Sequence, residues 1–429
     1  MLDLKQIRDN TAAVEAALKK RGATDFLAPL RGLDEARRRL ITETDELKRQ
    51  RNAASEEIGR LKKAGQDTSA GQAEVKALGR QIAENDSELR RLETDLRAAL
   101  LAIPNLPHAN VPLGSDASGN VEVRRWGAQR VFDFTPQSHL VLGESLGILD
   151  FARATRLSGT GFPLLVGAGA RLERALVRFM LDMHTREHDY LEVAPPYLCN
   201  AAAMTGTGQL PKMAEDMYHL PVDGLYLAPT AEVPVTNIYR EEILERDLPI
   251  RLVAYSPCFR REAGAAGRET RGLIRVHQFD KVEMVKFTAP DQSYAELETL
   301  TANAEDVLQR LELPYRVIEL CAGDLSFAAA KCYDIELWAP GQNAWLEVSS
   351  CSNFEAFQAR RANIRYRNVA GKLEFVHTLN GSGVALPRLM VALLENGQQA
   401  DGTVTLPVAL APYMDGETIL RPAEKQQRL

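Results

Sequence analysis

Cysteine is scarce and unpatterned in this chain. The five cysteines, Cys199, Cys258, Cys321, Cys332 and Cys351, are an odd set without a CxxC pair. Such a set argues against a zinc ribbon or a disulfide frame and for free thiols in a reducing compartment, so no structural zinc is expected. No apolar run approaches the ~20 residues that a membrane helix needs, so no membrane partner is expected. The opening MLDLKQIRDN lacks the basic-then-apolar pattern of a secretory signal, and a cytoplasmic location is the expectation. Positive charge is not in excess either. With 52 Lys and Arg against 58 Asp and Glu the net charge is −6, which argues against indiscriminate nucleic-acid binding and against a DNA partner. Any RNA contact should be local. Walker A, GxGxxG and GxSxG sequences are all missing, so a nucleotide site in this chain is built without a P-loop.

What is there is a chain of 429 residues, enough for two or three domains and at least one large core. Its first part is helical. Asp9 or Asn10 can cap a helix over Thr11–Lys20, and Gly22 can close it. Then Leu33, Leu40, Leu47 and Ala54 recur every seven residues, with Ile58 and Leu61 continuing the stripe. After the turn sequence GQDTSAG, Val75, Ile82, Leu89, Leu96 and Ile103 hold one position of a second heptad, and Leu78 and Leu92 the other. Two such runs around one Gly-containing turn predict an antiparallel two-helix coiled coil, an arm over about residues 28–103 and roughly 45 Å long. Its first helix is rich in Lys and Arg, including Arg49, Arg51, Arg60, Lys62 and Lys63 near the turn. By composition these are either a solvated face or a contact for a phosphate backbone.

Proline ends the second helix, and residues 104–120 (PNLPHANVPLGSDASGN) lack apolar periodicity, which predicts a linker between an N-terminal domain (1–103) and a second domain (121–429). In the second, Ala170–His184 forms a strong helix with Leu172, Leu176, Phe179 and Met183 on one stripe, followed by a strand-like EVAPPY. His184 and His188 match the HxxEH pattern of inverted zinc proteases, but so short a pattern arises easily by chance and needs a third ligand.

The chemistry concentrates in Tyr255–Phe287. Two apolar-rich flanks bracket a Gly-, Arg- and acid-rich segment, Glu262–Gly272, which predicts two strands joined by a long loop. Alternation puts Arg260 and Glu262 on one face, and His277, Phe279, Lys281 and Glu283 together on the second arm. Such a face is a poor core and a plausible binding floor. Arg260 can grip a phosphate bidentately, Phe279 offers a flat face to a base, and Glu283 can hold an ammonium or hydroxyl. A hairpin with surface charges is the alternative on the residues alone. Elsewhere, LAPTAEVPVTN (227–237) puts Thr230 and Glu232 on one face if extended, where they could accept hydrogen bonds from an ammonium. Glu347 and Ser350, in EVSS, offer oxygen ligands that suit Mg²⁺ bridging phosphates. Arg388 falls in the first turn of a helix starting near Pro387. A cation is disfavoured at that end, so a role toward a ligand is expected.

The wording of these stretches is specific. FRREAG, GRETRGL and RVHQFDKVEMV resemble motif 2 of class II aminoacyl-tRNA synthetases in its seryl form. The helix before EVAPPY resembles motif 1, with its proline at Pro196, and HTLNGSGVALPRLMVALLEN resembles motif 3. The resemblance covers essentially the whole chain. It implies an α+β protein in which a coiled-coil arm precedes an antiparallel sheet flanked by helices. It also implies a homodimer and an enzyme that activates L-serine with ATP and transfers it to the 3′ end of tRNA(Ser), with tRNA(Sec) as a further acceptor. Carried over residue by residue, it implies an ATP site of Arg260, Arg261, Glu262, Val276, Phe279, Glu347, Val348, Ser349, Ser350 and Arg388. Arg260 and Arg388 act on the phosphates, and Mg²⁺ sits on Glu347 and Ser350. For serine it implies Thr230, Ala231 and Glu232 at the ammonium, with Glu283 and Ser382 at the hydroxyl. The basic arm residues would then meet the tRNA. An amino acid:carrier-protein ligase, the alternative, should lack the arm. Two positions depart from the family's usual wording: Gly161 and Ala411 stand where arginine is common.

Overall fold

The computed structural model describes residues 1–263 and 272–424. Most of the expected loop Glu262–Gly272, with much of the GRETRGL wording, therefore lies outside the described residues. The chain divides into two units between Pro104 and Asn105.

The N-terminal unit opens with α1 (Leu4–Asp9), capped by the Asp3 carboxylate on the Lys5 amide, and α2 (Thr11–Lys20). Asn10 occupies the cap position of α2 without a side-chain bond, and Gly22 closes the helix at φ +67°. Two long helices follow, α3 (Leu27–Lys63, 37 residues) and α4 (Ser69–Ala102, 34 residues). At 1.5 Å per residue each is about 50 Å long, somewhat more than expected. They pack side by side as the heptads require. The seam is deepest along α4, where Leu78, Ile82, Leu92, Leu96 and Leu100 are buried, while Leu33, Leu40, Leu47 and Ala54 of α3 stay half-buried. Two helices alone cannot cover a stripe from all sides. Ion pairs flank the seam: Arg37 to Glu93 at 2.8 Å and Lys48 to Asp86 at 3.5 Å.

The second unit is built on an eight-stranded sheet. In chain order its strands are β1 (Val121–Trp126), β2 (Leu191–Glu192), β3 (Ile250–Phe259), β4 (Gln278–Thr288), β5 (Tyr315–Glu319), β6 (Lys331–Ala339), β7 (Ala344–Asn353) and β8 (His377–Ala385). They lie in the order β1-β5-β6-β7-β8-β4-β3-β2, and every neighbouring pair is antiparallel except the short edge pair β2–β3. Helices α5 (His139–Ser145), α6 (Ala168–Arg186), α7 (Glu232–Thr236), α8 (Ser293–Arg310) and α9 (Leu386–Gly397) are the ones that bear on the site. On β4, Val282 and Met284 face a core that includes Leu172 and Leu176 of α6, Leu297 of α8 and Leu389 of α9. Each such leucine, fully buried, contributes about 1.5–3 kcal/mol. The opposite face of β4 carries Phe279, Lys281 and Glu283 before closing under Val285 and Phe287. One strand therefore supplies core on one side and chemistry on the other.

Residues 104–120 are not a free spacer. From Asn105 onward the chain is held against the second unit, because the composition hides specific bonds. The buried Asn105 amide donates to the Ala328 and Phe354 carbonyls, both at 2.9 Å, and Cys321 Sγ packs against Gly114 and Gly119. Other boundaries shift as well. EVAPPY contributes only its first residue to a strand, and the second hairpin arm becomes regular only at Gln278.

Candidate active site

A cleft of about 620 Å³ opens over the β4, β8 and β7 face of the sheet. Arg260 stands just past the end of β3, its amide fixed to the His277 carbonyl at 2.9 Å. The side chain donates through Nε to the Pro229 carbonyl (3.2 Å), and the guanidinium lies 5.2 Å from the centre of the Phe279 ring. With Nε engaged, the guanidinium keeps its terminal N–H groups for an anion. Glu262, at φ +52°, pairs with Arg275, and Asp216 anchors the chain past β3 by accepting from the Arg261 and Ala263 amides.

Arg388 closes the opposite wall. It lies in the first turn of α9 and donates to two carbonyls, Nε to Ile274 (3.0 Å) and Nη1 to Glu347 (2.6 Å). The Glu347 carboxylate is 3.6 Å from Nη1 and half exposed to the cleft. The β6–β7 register slips between Glu347 and Ser349, leaving Val348 as the extra residue of a bulge. Glu347, Val348 and Ser350 consequently all line the cleft, which strict alternation would forbid. Beneath Ser350, Cys332 Sγ lies 3.1 Å from its hydroxyl. The neighbouring Asp334 carboxyl is pushed well above the usual carboxylate range by burial and then by the charge of Glu347. Glu347 and Ser350 present hard oxygen donors to the cleft, and two such ligands suit Mg²⁺, which fills its remaining positions with water and phosphate oxygens.

The inner end of the cleft is a polar pocket. The Thr230 hydroxyl donates to Glu283 Oε2 (2.9 Å) and accepts from Lys281 Nζ (3.0 Å) and the Glu232 amide (3.1 Å). Lys281 also pairs directly with Glu283. Glu232 Oε1 accepts from Gln358 Nε2 at 2.6 Å. Burial, then the charge of Glu283, raises the Glu232 carboxyl to about 7. Ser382 sits opposite Glu283 in the β8–β4 register.

The condition that TxE be extended is not met here. Ala231 is helical (φ −63°, ψ −16°) and α7 begins at Glu232, because the Thr230 hydroxyl caps that amide. The structure brings Arg260, Glu262, Val276, Phe279, Glu347, Val348, Ser350, Arg388, Thr230, Glu232, Glu283 and Ser382 to one cleft. It does not bring three others there. Ala231 is buried in the apolar cluster behind α7, the Arg261 side chain points to solvent, and the Ser349 hydroxyl turns away to donate to the Ser382 carbonyl at 2.6 Å. His277 also leaves the floor: its amide donates to the Gly161 carbonyl (2.8 Å), and its ring packs beside Phe162. Lys281, Arg275 and Gln358 were missed as site residues. Strand alternation already places Lys281 on the cleft face; the other two depend on loop and helix geometry that the sequence does not signal.

The HxxEH histidines are engaged otherwise. His184 Nε2 is 3.0 Å from the Gly383 carbonyl, the two Nδ1 atoms are 2.9 Å apart, and His188 Nε2 is 3.1 Å from Asp306. On the arm, Arg49 and Arg60 pair with Glu46 and Glu57 of their own helix, while Lys62 and Lys63 are exposed beside the turn.

Comparison with known proteins agrees across both units. Residues 1–107 match the model of the seryl-tRNA synthetase N-terminal domain, and residues 219–397 that of the tRNA synthetase class II core domain (G, H, P, S and T). The chain is 58% identical over 423 residues to the serine–tRNA ligase of Carboxydothermus hydrogenoformans, covering 98% of this chain and 100% of that protein. It is 56% identical to the serine–tRNA ligase of Syntrophomonas wolfei, with 98% and 100% covered. The solved seryl-tRNA synthetase of Pyrococcus horikoshii, complexed with ATP, superposes with a TM-score of 0.94 at 39% identity, covering 99% of this chain and 100% of that one.

Proposed function

This chain belongs to the seryl-tRNA synthetase family of class II aminoacyl-tRNA synthetases, and from that premise we propose how its cleft divides the work of activating serine and charging tRNA. Serine's carboxylate attacks the α-phosphorus of ATP, giving seryl-adenylate and pyrophosphate. The terminal ribose hydroxyl of tRNA(Ser) then attacks the acyl carbon and AMP leaves. No protein nucleophile is needed, so catalysis rests on orientation and charge neutralisation. Arg260 holds the α-phosphate and Arg388 the outer phosphates or the far side of the base. Glu262 binds the adenine end, Phe279 stacks on it, and Val276 offers backbone contacts. Glu347 and Ser350 would hold Mg²⁺, which would supply charge neutralisation at the phosphates. Thr230 and Glu232 take the serine ammonium, and Glu283 and Ser382 its hydroxyl. The observation that carries this reading is one cleft joining a phosphate-type end (Arg260, Phe279, Arg388) to a small polar pocket (Thr230, Glu232, Glu283). A homodimer working in the cytoplasm belongs to the same proposal, as does tRNA(Sec) as a second acceptor. Serine-dependent ATP–pyrophosphate exchange on the purified protein tests it. Exchange supported equally by other amino acids, or none with serine, would sink it.

The pocket carries a pH signature. Because the folded-state value of Glu232 is raised to about 7, the stability from its bound proton is present at low pH and lost as pH rises through that value. Serine's ammonium wants the opposite, ionised form. The KM for serine is therefore expected to rise by up to about tenfold per pH unit below about 7, and Glu232→Gln to flatten the profile. A wild-type serine KM constant from about pH 6 to pH 8 would contradict the assignment.

The arm separates binding of tRNA from adenylate chemistry. Its two helices close on each other, so replacing Leu30–Ala102 with a short Gly/Ser linker removes a self-contained unit. Pyrophosphate exchange should stay near the wild-type rate while tRNA charging is lost. Wild-type charging should weaken with salt, as Lys/Arg–phosphate contacts release counterions. Charging by the armless protein as efficient as that by the intact one would make the arm a spacer.

A further inference from the structure

Outside the cleft lining, one buried ring grips the chain just after Gly272. His139 opens α5 and is fully buried. Its amide and its ring Nδ1 lie 2.9 and 3.1 Å from Glu395 Oε1, and the Leu273 amide nitrogen lies 3.2 Å from its Nε2. A backbone N–H only donates, so Nε2 carries the lone pair and Nδ1–H donates to the carboxylate. Glu395, also fully buried, cannot swing away, because its other oxygen accepts from the Gly341 and Gln342 amides at 2.9 and 3.1 Å. Gly272 makes room for the ring: a Cβ there would lie 2.2 Å from Nε2.

Both Glu395 and Arg388 belong to α9, and they hold consecutive residues of this stretch. Arg388 takes the Ile274 carbonyl directly, while Glu395 reaches the Leu273 amide through His139. We propose that His139 is a positioning residue for the nucleotide, setting where Leu273–Val276 stand over the cleft. The proposal rests on reading this cleft as an ATP site. A side chain that acts only on this wall should change the use of ATP and leave the serine pocket alone, since it touches neither Thr230 nor Glu283.

The two amide substitutions divide the ring between them. In His139→Asn the side chain can still donate to Glu395 but is too short to accept from Leu273, whereas in His139→Gln the amide oxygen reaches the place of Nε2. Serine-dependent pyrophosphate exchange, with ATP and serine varied separately, should show the KM for ATP raised about tenfold in His139→Asn. The serine KM and kcat should stay within about threefold, and His139→Gln should return to near wild type. An unchanged ATP KM in His139→Asn, equal losses for both substrates, or His139→Gln as impaired as His139→Asn would each overturn the role. Should His139→Asn fail to fold, hydrogen exchange at the Leu273 amide of the wild type decides: protection is expected, and exchange at the rate of an open loop overturns it. A wild type without serine-dependent exchange would instead refute the ATP-site reading itself.

Discussion

Arg260→Ala should lower serine-dependent pyrophosphate exchange by about 10²–10³ while the protein stays folded and melts near the wild-type temperature. The side chain is placed by two contacts that belong to the protein alone, the Nε bond to the Pro229 carbonyl and the face of Phe279. Truncation would remove a preorganised donor set from the point where negative charge develops on the α-phosphate, at a cost of about 3–4 kcal/mol in the transition state. The ground state should suffer less, so kcat should fall more than the KM for ATP rises. Arg260→Lys should recover little, since a single ammonium cannot reproduce a planar fork. Exchange by Arg260→Ala within about threefold of wild type would remove Arg260 from the phosphate.

The second large effect is selectivity. Wild type should discriminate against alanine by up to about 10⁴–10⁵, because an analogue without the hydroxyl leaves the groups built to bind it unpaired. Glu283→Ala should lose serine activation without gaining alanine. The reason lies in what remains: Lys281, buried against Thr230 and Glu283, would be a charge parted from the carboxylate it pairs with. Apolar substrates would meet that charge and not an apolar wall. Efficient activation of alanine by wild type, or by Glu283→Ala, would contradict the pocket as described.

Legibility in the sequence follows regularity of the backbone. The arm is legible because a stripe every seven residues has few other physical meanings. Phe279, Lys281 and Glu283 are legible because β4 is an unbroken strand from Gln278 onward, so alternation holds. Where the backbone departs from a period, the reading fails. The Thr230 hydroxyl takes the amide two residues on, so TxE is a helix start and not an extended segment. A single extra residue at Val348 decides which of Glu347, Val348 and Ser349 faces the cleft, and nothing in EVSS announces a bulge. The 104–120 stretch has a linker's composition yet is pinned by buried amide bonds that composition cannot express. His139 has no pattern at all in the sequence, since its partners Leu273 and Glu395 come from two distant segments.

Gly161 bears on how this sequence can drift. Its φ of +82° already disfavours a side chain, and a Cβ would come within 2.4 Å of His277 Cδ2. The same ring, through Nδ1, holds the Arg260 carbonyl at 3.0 Å. A substitution at 161 is therefore not a private matter of its own loop: to be accepted the imidazole must give way, and with it one of the bonds that locate Arg260. Positions 161, 277 and 260 are linked through one ring, so substitutions among them should not add. Placing an arginine at position 161 of this chain is a change whose cost depends on the histidine more than a hundred residues away.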